Sequence, residues 1–268
     1  MKKVLYYIAL FFYRIYEVVI GIPVLILVTI ITCIVTAFGC MWGDIMWWSY
    51  YPASLWGKLM CRLFWVRIKL TGSENASDIK SCVYVANHQS AFDIFLSYAY
   101  LRHNFLWMMK KSLKKIPFLG WACGKMGQVF VDNSSPAAVK ATMEKAEMRL
   151  KEGRSMVIFP EGTRTATGKM ARFKRGAYVL AKEFNLPVVP LTIDGAFDVW
   201  PKTAWLPTFG TIRLTIHPAI FPGEEGHDIN ALVAATQEVV GSALPERLRF
   251  VKPLPKKTVE ACDDGIIR

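Results

Sequence analysis

Charged residues are absent from positions 18–43, the 26 residues between Glu17 and Asp44. About 20 apolar residues suffice to cross a hydrocarbon core of about 30 Å, so this stretch predicts a helical membrane anchor. It begins too far into the chain, and lacks a small-residue cleavage pattern after it, to read as a removed signal peptide. Lys2, Lys3 and Arg14 precede it, while Lys58, Arg62, Arg67 and Lys69 follow. Basic flanks favour the cytoplasmic side, so two basic flanks predict a hairpin or re-entrant segment. Tyr6, Tyr7, Tyr13 and Tyr16 on one side, and Trp42, Trp47, Trp48, Tyr50, Tyr51 and Trp56 on the other, read as interfacial belts. Rings with one polar edge favour that depth.

Beyond residue 60 the pattern changes. Short apolar, β-branched or aromatic runs at 64–70, 82–86, 105–109, 129–131, 155–159, 188–193 and 211–216 predict strands. Helical patterns fall between several of them, at 91–101, 136–151 and 177–184, with a last one at 228–243. Pro136 suits a first helical turn after Ser134 or Ser135, and Gly153 suits the stop. Alternating strands and helices predict an α/β fold, a mostly parallel or mixed sheet flanked by helices. The expected division is an anchor at 1–60, an α/β domain at 61–250 and a loose tail at 251–268, where prolines and lysines cluster.

Composition narrows the partners. A hydrophobic content of 53% and a mean hydropathy of +0.27 fit a membrane-associated chain with a globular remainder. A net charge of +12 implies an anionic partner, and the apolar stretch makes lipid a better candidate than nucleic acid. The six cysteines, at 33, 40, 61, 82, 123 and 262, are scattered, several of them inside apolar runs. That is neither a disulfide framework nor a zinc pattern, and it places the globular part in a reducing, cytoplasmic setting.

Candidate chemistry begins at Asn87-His88-Gln89-Ser90-Ala91-Phe92-Asp93, directly after the apolar run 82–86. An imidazole accepts a proton near neutral pH, and a carboxylate on its other nitrogen fixes the tautomer and stabilises the imidazolium. Five residues advance about 500° on a helix, so the pair can form only with His88 in a loop and Asp93 in the first helical turn. Ser90-x-x-Asp93 also resembles a capping box, which leaves open that Asp93 serves only backbone amides.

The run from Ser155 ends in Phe159-Pro160-Glu161-Gly162-Thr163-Arg164. Arg164, Lys169, Arg172, Lys174, Arg175 and Lys182 then follow before the next acid, Glu183. Ligands sit at such carboxyl ends of strands in open α/β sheets, and arginine suits bidentate contact with phosphate. The alternative is a solvated basic loop. Residues 107–121 interleave lysines with Trp107, Ile116, Phe118, Leu119 and Trp121, which fits a membrane-lying surface. Single-stranded nucleic acid, or a core strand followed by an exposed loop, would also accommodate that pattern. His103, His217 and His227 lack ligand-spaced partners, so no metal is expected.

Asn87-His88-x4-Asp93 followed at a suitable distance by Phe159–Arg164 resembles the 1-acylglycerol-3-phosphate acyltransferases, in their bacterial membrane-bound form. Residues 110–121, 127–132 and 186–190 are similar to further blocks of that family, and the resemblance covers about residues 60–220. It implies transfer of a fatty acyl chain from acyl-CoA or acyl carrier protein, as co-substrate, to the sn-2 hydroxyl of lysophosphatidic acid, giving phosphatidic acid. His88 is then the general base and Asp93 its orienting partner. Asn87, Lys110, Glu161, Gly162, Thr163, Arg164 and Arg175 are the substrate contacts, with Arg164 on the phosphate. Neither a metal nor a prosthetic cofactor is implied, nor a nucleic-acid partner. The implied location is the inner membrane, with the catalytic domain on its cytoplasmic face. The second block usually ends Asp-Arg, whereas here Asp132 is followed by Asn133. Glycerol 3-phosphate or another lysolipid is therefore an alternative acceptor, and a non-catalytic lipid-binding protein is an alternative of another class.

Overall fold

The uncharged stretch is the C-terminal part of a longer helix. In the computed structural model, which describes residues 2–101, 104–132, 134–222 and 228–250, α1 (Lys2–Tyr16) continues through one π turn (Glu17–Gly21) into α2 (Ile22–Trp42). Its apolar run Val4–Trp42 is 39 residues long, about 58 Å against a hydrocarbon core of about 30 Å. Arg14 and Glu17, which precede the charge-free stretch, do not interrupt the helix. They pair with each other, and Glu17 is completely buried.

The chain turns at Gly43, where Asp44 caps α3 (Ile45–Leu63) by accepting from the Met46 amide at 2.8 Å. Helix α3 runs back antiparallel along α2. The Trp56 indole donates to Thr29 Oγ1 at 2.9 Å, and the hydroxyls of Tyr13 and Tyr16 donate to the carbonyls of Phe64 and Leu63. These three rings were expected at the membrane interface, and they bind one helix to the other instead. Tyr6, Tyr7, Trp42, Trp47 and Tyr51 remain exposed.

Helix α3 is also part of the globular core, since Ala53, Met60, Cys61 and Phe64 pack with Phe92, Phe95 and Leu96. A Cβ on Gly57 would come within 2.4 Å of the Phe95 carbonyl, so glycine alone permits this crossing. The boundary expected between residues 60 and 61 therefore falls inside a helix that joins the two regions.

The remaining elements are β1 (Val66–Thr71), β2 (Val83–Ala86), α4 (Phe92–Tyr100), β3 (Phe105–Lys110), α5 (Leu119–Lys125), β4 (Val129–Val131), α6 (Pro136–Lys151), β5 (Ser155–Ile158), α7 (Gly176–Glu183), β6 (Val188–Asp194), α8 (Ala196–Val199), β7 (Gly210–Ile216) and α9 (Ile229–Ser242). Among the described residues the strands form one mixed sheet flanked by helices, in the order β1-β7-β6-β2-β5-β3-β4. The β6–β7 pair is antiparallel and the other pairs are parallel. The expected tail at 251–268, together with His103, Asn133 and His227, lies outside the described residues.

Strand period 2 sorts the core into two layers. Tyr84 and Ala86 of β2 face α3 and α4, while Val83 and Val85 face Ala177 and Tyr178 of α7, Leu232 of α9 and Leu150 of α6. The connection leaving β2 therefore departs to one face, and that leaving its neighbour β5 departs to the other. Such divergence opens a crevice at the carboxyl ends of the two strands.

The antiparallel return of α3 along α2 generates a topological prediction. A tag placed before Lys2 and a protease site in the α6 region should be accessible from the same, cytoplasmic side of inverted or right-side-out vesicles. Access from opposite sides would contradict the hairpin.

Candidate active site

The crevice between β2 and β5 is occupied from the β2 side by the loop 87–91 and the first turn of α4. One oxygen organises this turn. Asp93 Oδ2 accepts from the amides of Gln89 and Ser90 at 2.7 and 2.9 Å, and stands 2.7 Å from His88 Nδ1. An oxygen that already accepts from two amides acts as acceptor toward the ring as well, so Nδ1 carries the hydrogen and Nε2 presents its lone pair. The capping and pairing readings of Asp93 are thus both realised by the same atom.

The orientation of the ring is fixed a second time by stacking. His88 lies 3.8 Å from Phe159, with 6° between the planes, and Phe159 stacks in turn on Trp107 at 5.4 Å. The Asp93 side chain is fully buried whereas that of His88 is 16% exposed, so the imidazole is the member of the pair that an incoming molecule can reach.

From the β5 side comes Glu161, itself buried. Its Oε1 accepts from the His88 amide at 2.7 Å and its Oε2 from the Ala171 amide at 2.8 Å. The Thr165 amide donates to the His88 carbonyl at 2.9 Å. The His88 peptide is therefore held on both sides by the loop that carries Thr163 and Arg164. Burial pushes the Glu161 carboxyl up to about 7, against its two amide donors, which favour the ionised form.

The Acyltransferase family model matches residues 67–194, which include both loops. An uncharacterized acyltransferase of Schizosaccharomyces pombe is 30% identical over 74% of this chain and 72% of its own length. The chain belongs to the acyltransferase family. The 1-acyl-sn-glycerol-3-phosphate acyltransferase of Pseudomonas aeruginosa is 35% identical over 60% of this chain, and the match spans 62% of that protein. The crystal structure of the 1-acyl-sn-glycerophosphate (LPA) acyltransferase from Thermotoga maritima superposes with a TM-score of 0.69 at 29% identity, covering 81% of this chain and 89% of that one.

Within this acyltransferase the residues singled out from sequence fall into three groups. His88, Asp93 and Glu161 meet in one hydrogen-bonded unit. Asn87 lies beneath it, with both ends of its amide engaged by Ile193, donating to the carbonyl and accepting from the amide at 2.8 Å each. These two bonds join the end of β2 to β6 and hold the Asn87 side chain in place beside His88. Glu161 likewise has both oxygens occupied by backbone amides.

Thr163 is exposed and Arg164 half-buried, one residue before the Thr165 amide that holds His88. Gly162 turns the chain at φ +78°, and a Cβ there would sit 2.8 Å from Lys174 Nζ. The cation brought against this turn is therefore Lys174, whereas the sequence reading named its neighbour Arg175. Arg175 is exposed at the start of α7. Lys110 ends β3, two strands from β2 and about 10 Å away laterally. The sequence also gave no sign of the Phe159 stack, because its aromatic character was already absorbed by the strand pattern.

No activated thiol competes with the imidazole among the described residues outside the long helix hairpin. Cys82 and Cys123 are buried, and burial pushes each thiol up to about 12.

Glu161 generates a pH prediction. The folded chain keeps this proton to about pH 7, whereas an ordinary glutamate releases it near 4.5. Stability from this group is therefore full below about pH 4.5 and is lost as pH rises to about 7. The melting temperature of the wild type should fall across that window more than that of Glu161→Gln. The variant should also lose about tenfold or more in turnover, because its amide group points a donor at a backbone N–H, a clash worth about 1–3 kcal/mol. Parallel melting profiles with unchanged turnover would contradict this role.

Proposed function

We propose that this chain is a membrane-bound O-acyltransferase that moves a fatty acyl chain from acyl-CoA or acyl carrier protein to the sn-2 hydroxyl of lysophosphatidic acid, forming phosphatidic acid. The observation that carries the reading is the His88 ring, locked through Nδ1 by Asp93 and through its face by Phe159, with Nε2 left for the crevice.

In this mechanism His88 Nε2 takes the proton of the acceptor hydroxyl as its oxygen attacks the thioester carbonyl. Asp93 stabilises the imidazolium that forms. The tetrahedral adduct collapses with cleavage of the C–S bond, and the imidazolium returns the proton to the departing thiolate. A thiolate leaves readily, so transfer is direct and needs no acyl-enzyme. Arg164, with Lys174 beside Gly162, receives the acceptor's phosphate, and Arg175 and Lys110 extend the positive field around it. Thr163 and Gly162 supply the exposed backbone of that turn. In this reading the apolar helices hold the enzyme on the inner membrane with its domain on the cytoplasmic face, a placement that the basic flanks of the apolar stretch support.

The names of the similar Pseudomonas aeruginosa and Thermotoga maritima proteins support the acceptor, and the family supports the reaction class. Purified wild type should acylate lysophosphatidic acid in preference to glycerol 3-phosphate or a zwitterionic lysolipid. A wild type that ignores lysophosphatidic acid would overturn the acceptor. His88→Ala should lower kcat about 10²- to 10⁴-fold without loss of fold. Arg164→Ala should raise the acceptor KM about tenfold or more, from loss of a charge-assisted contact of about 1.5–3 kcal/mol, with the donor KM little changed.

A further inference from the structure

Outside helices α1 to α3, one large apolar side chain is held almost entirely out in solvent. Trp205 is 95% exposed, more than any other large hydrophobic among the described residues. It does not sit on a slack loop. In the turn 201–209 the Ala204 amide donates to the Pro201 carbonyl at 3.0 Å, the Trp200 indole to the Ala204 carbonyl at 3.2 Å, and the Thr208 amide to the Val199 carbonyl at 2.8 Å. The backbone on both sides of Trp205 is thus fixed, and it aims the indole outward.

Both ends of this turn are tied to parts already described. At one end the Arg14 guanidinium donates to the Pro207 carbonyl, and the Phe209 ring meets Tyr13 edge-on at 5.1 Å and Tyr6 at 6.2 Å. Trp65, 60% exposed, packs against Tyr13 and Tyr16 at the same level. The adjoining helix face exposes Tyr7, Phe11 and Phe12. At the other end the Trp200 carbonyl accepts from Ser90 Oγ at 2.8 Å, and the Phe197 amide donates to Gln89 Oε1 at 3.3 Å. One rigid segment therefore bridges the apolar helix and the loop that carries His88.

We propose that the turn 201–209 is a second membrane contact, with Trp205 in the headgroup–acyl boundary beside the crevice, where it brings the bilayer surface to His88. The occupant is the lipid bilayer because the turn docks on α1, whose remaining surface is apolar and exposed. An exposed Lys202, three residues before Trp205, matches the aromatic and cationic make-up of an interfacial segment. A membrane-borne acceptor then passes from the bilayer to the base without crossing water. That last consequence rests on the acyl transfer proposed above, whereas the membrane contact does not.

The test uses the full chain in vesicles of phosphatidylethanolamine and phosphatidylglycerol. An environment-sensitive fluorophore is attached to Trp205→Cys, with Lys145→Cys on α6, across the sheet from α3, as reference and Cys262→Ser to remove one background thiol. Nitroxide-labelled lipids should quench the label at position 205 and leave that at position 145 unaffected. Absence of lipid quenching at 205 overturns the proposal, whether the label is reached by aqueous iodide or covered by protein. In the same vesicles Trp205→Ala should raise the acceptor KM about fivefold at unchanged kcat, with Trp205→Phe restoring most of it. An equal effect on detergent-dispersed acceptor would point to a folding defect and count against the contact. Quenching needs no turnover, so failure of the acyl-transfer reading and failure of the membrane contact give different results.

Discussion

A single buried carboxylate oxygen holds the working end of this molecule together. Asp93 Oδ2 draws three donors onto itself, two from the backbone and one from the imidazole. Removing such an acceptor would strand buried donors at about 1–3 kcal/mol each, so the loop geometry and the ring tautomer share one energetic origin. Everything that approaches His88 is arranged around that point. Phe159 sets the plane of the ring, Glu161 anchors its peptide and Asn87 fastens the strand beneath it.

The sheet makes this concentration possible. Because β2 sends its chain to the α4 face and β5 to the α7 face, two loops of different chemistry meet end-on without competing for space. One brings an imidazole and its carboxylate partner, the other a cationic turn. Helix α3, the returning limb of the apolar pair, packs directly on α4 through Gly57. The element that carries Asp93 thus rests on the returning limb of the apolar helix pair, and the two share one core.

Much of this was legible in the sequence, for identifiable reasons. Strands buried on both faces read as short continuous apolar runs, and Asn87–Asp93 and Phe159–Arg164 stood at the ends of two of them. What the sequence could not convey depended on tertiary placement. Tyr13, Tyr16 and Trp56 have the composition of an interfacial belt, yet they serve helix–helix contacts, because a ring with one polar edge suits either environment. Asn87 and Glu161 looked like ligand contacts, and the structure adds that each is also held by backbone partners far along the chain, which no local spacing could show. The choice of Lys174 over Arg175 beside Gly162 is decided by which way a loop enters a helix, and no spacing rule encodes that.

The central claim is that Asp93 acts through the orientation of His88 as well as through the loop. The most direct measurement is steady-state kinetics of Asp93→Asn with lysophosphatidic acid and acyl-CoA, alongside its melting temperature. Because one atom serves both the loop amides and the ring, asparagine either keeps its oxygen there without the charge that stabilises the imidazolium, or puts its NH2 there and turns a donor toward all three. The expected result is a folded enzyme with acceptor KM little changed and kcat lowered about 10²-fold or more. A folded Asp93→Asn enzyme that keeps near-normal kcat would contradict the claim and leave Asp93 as a helix cap alone.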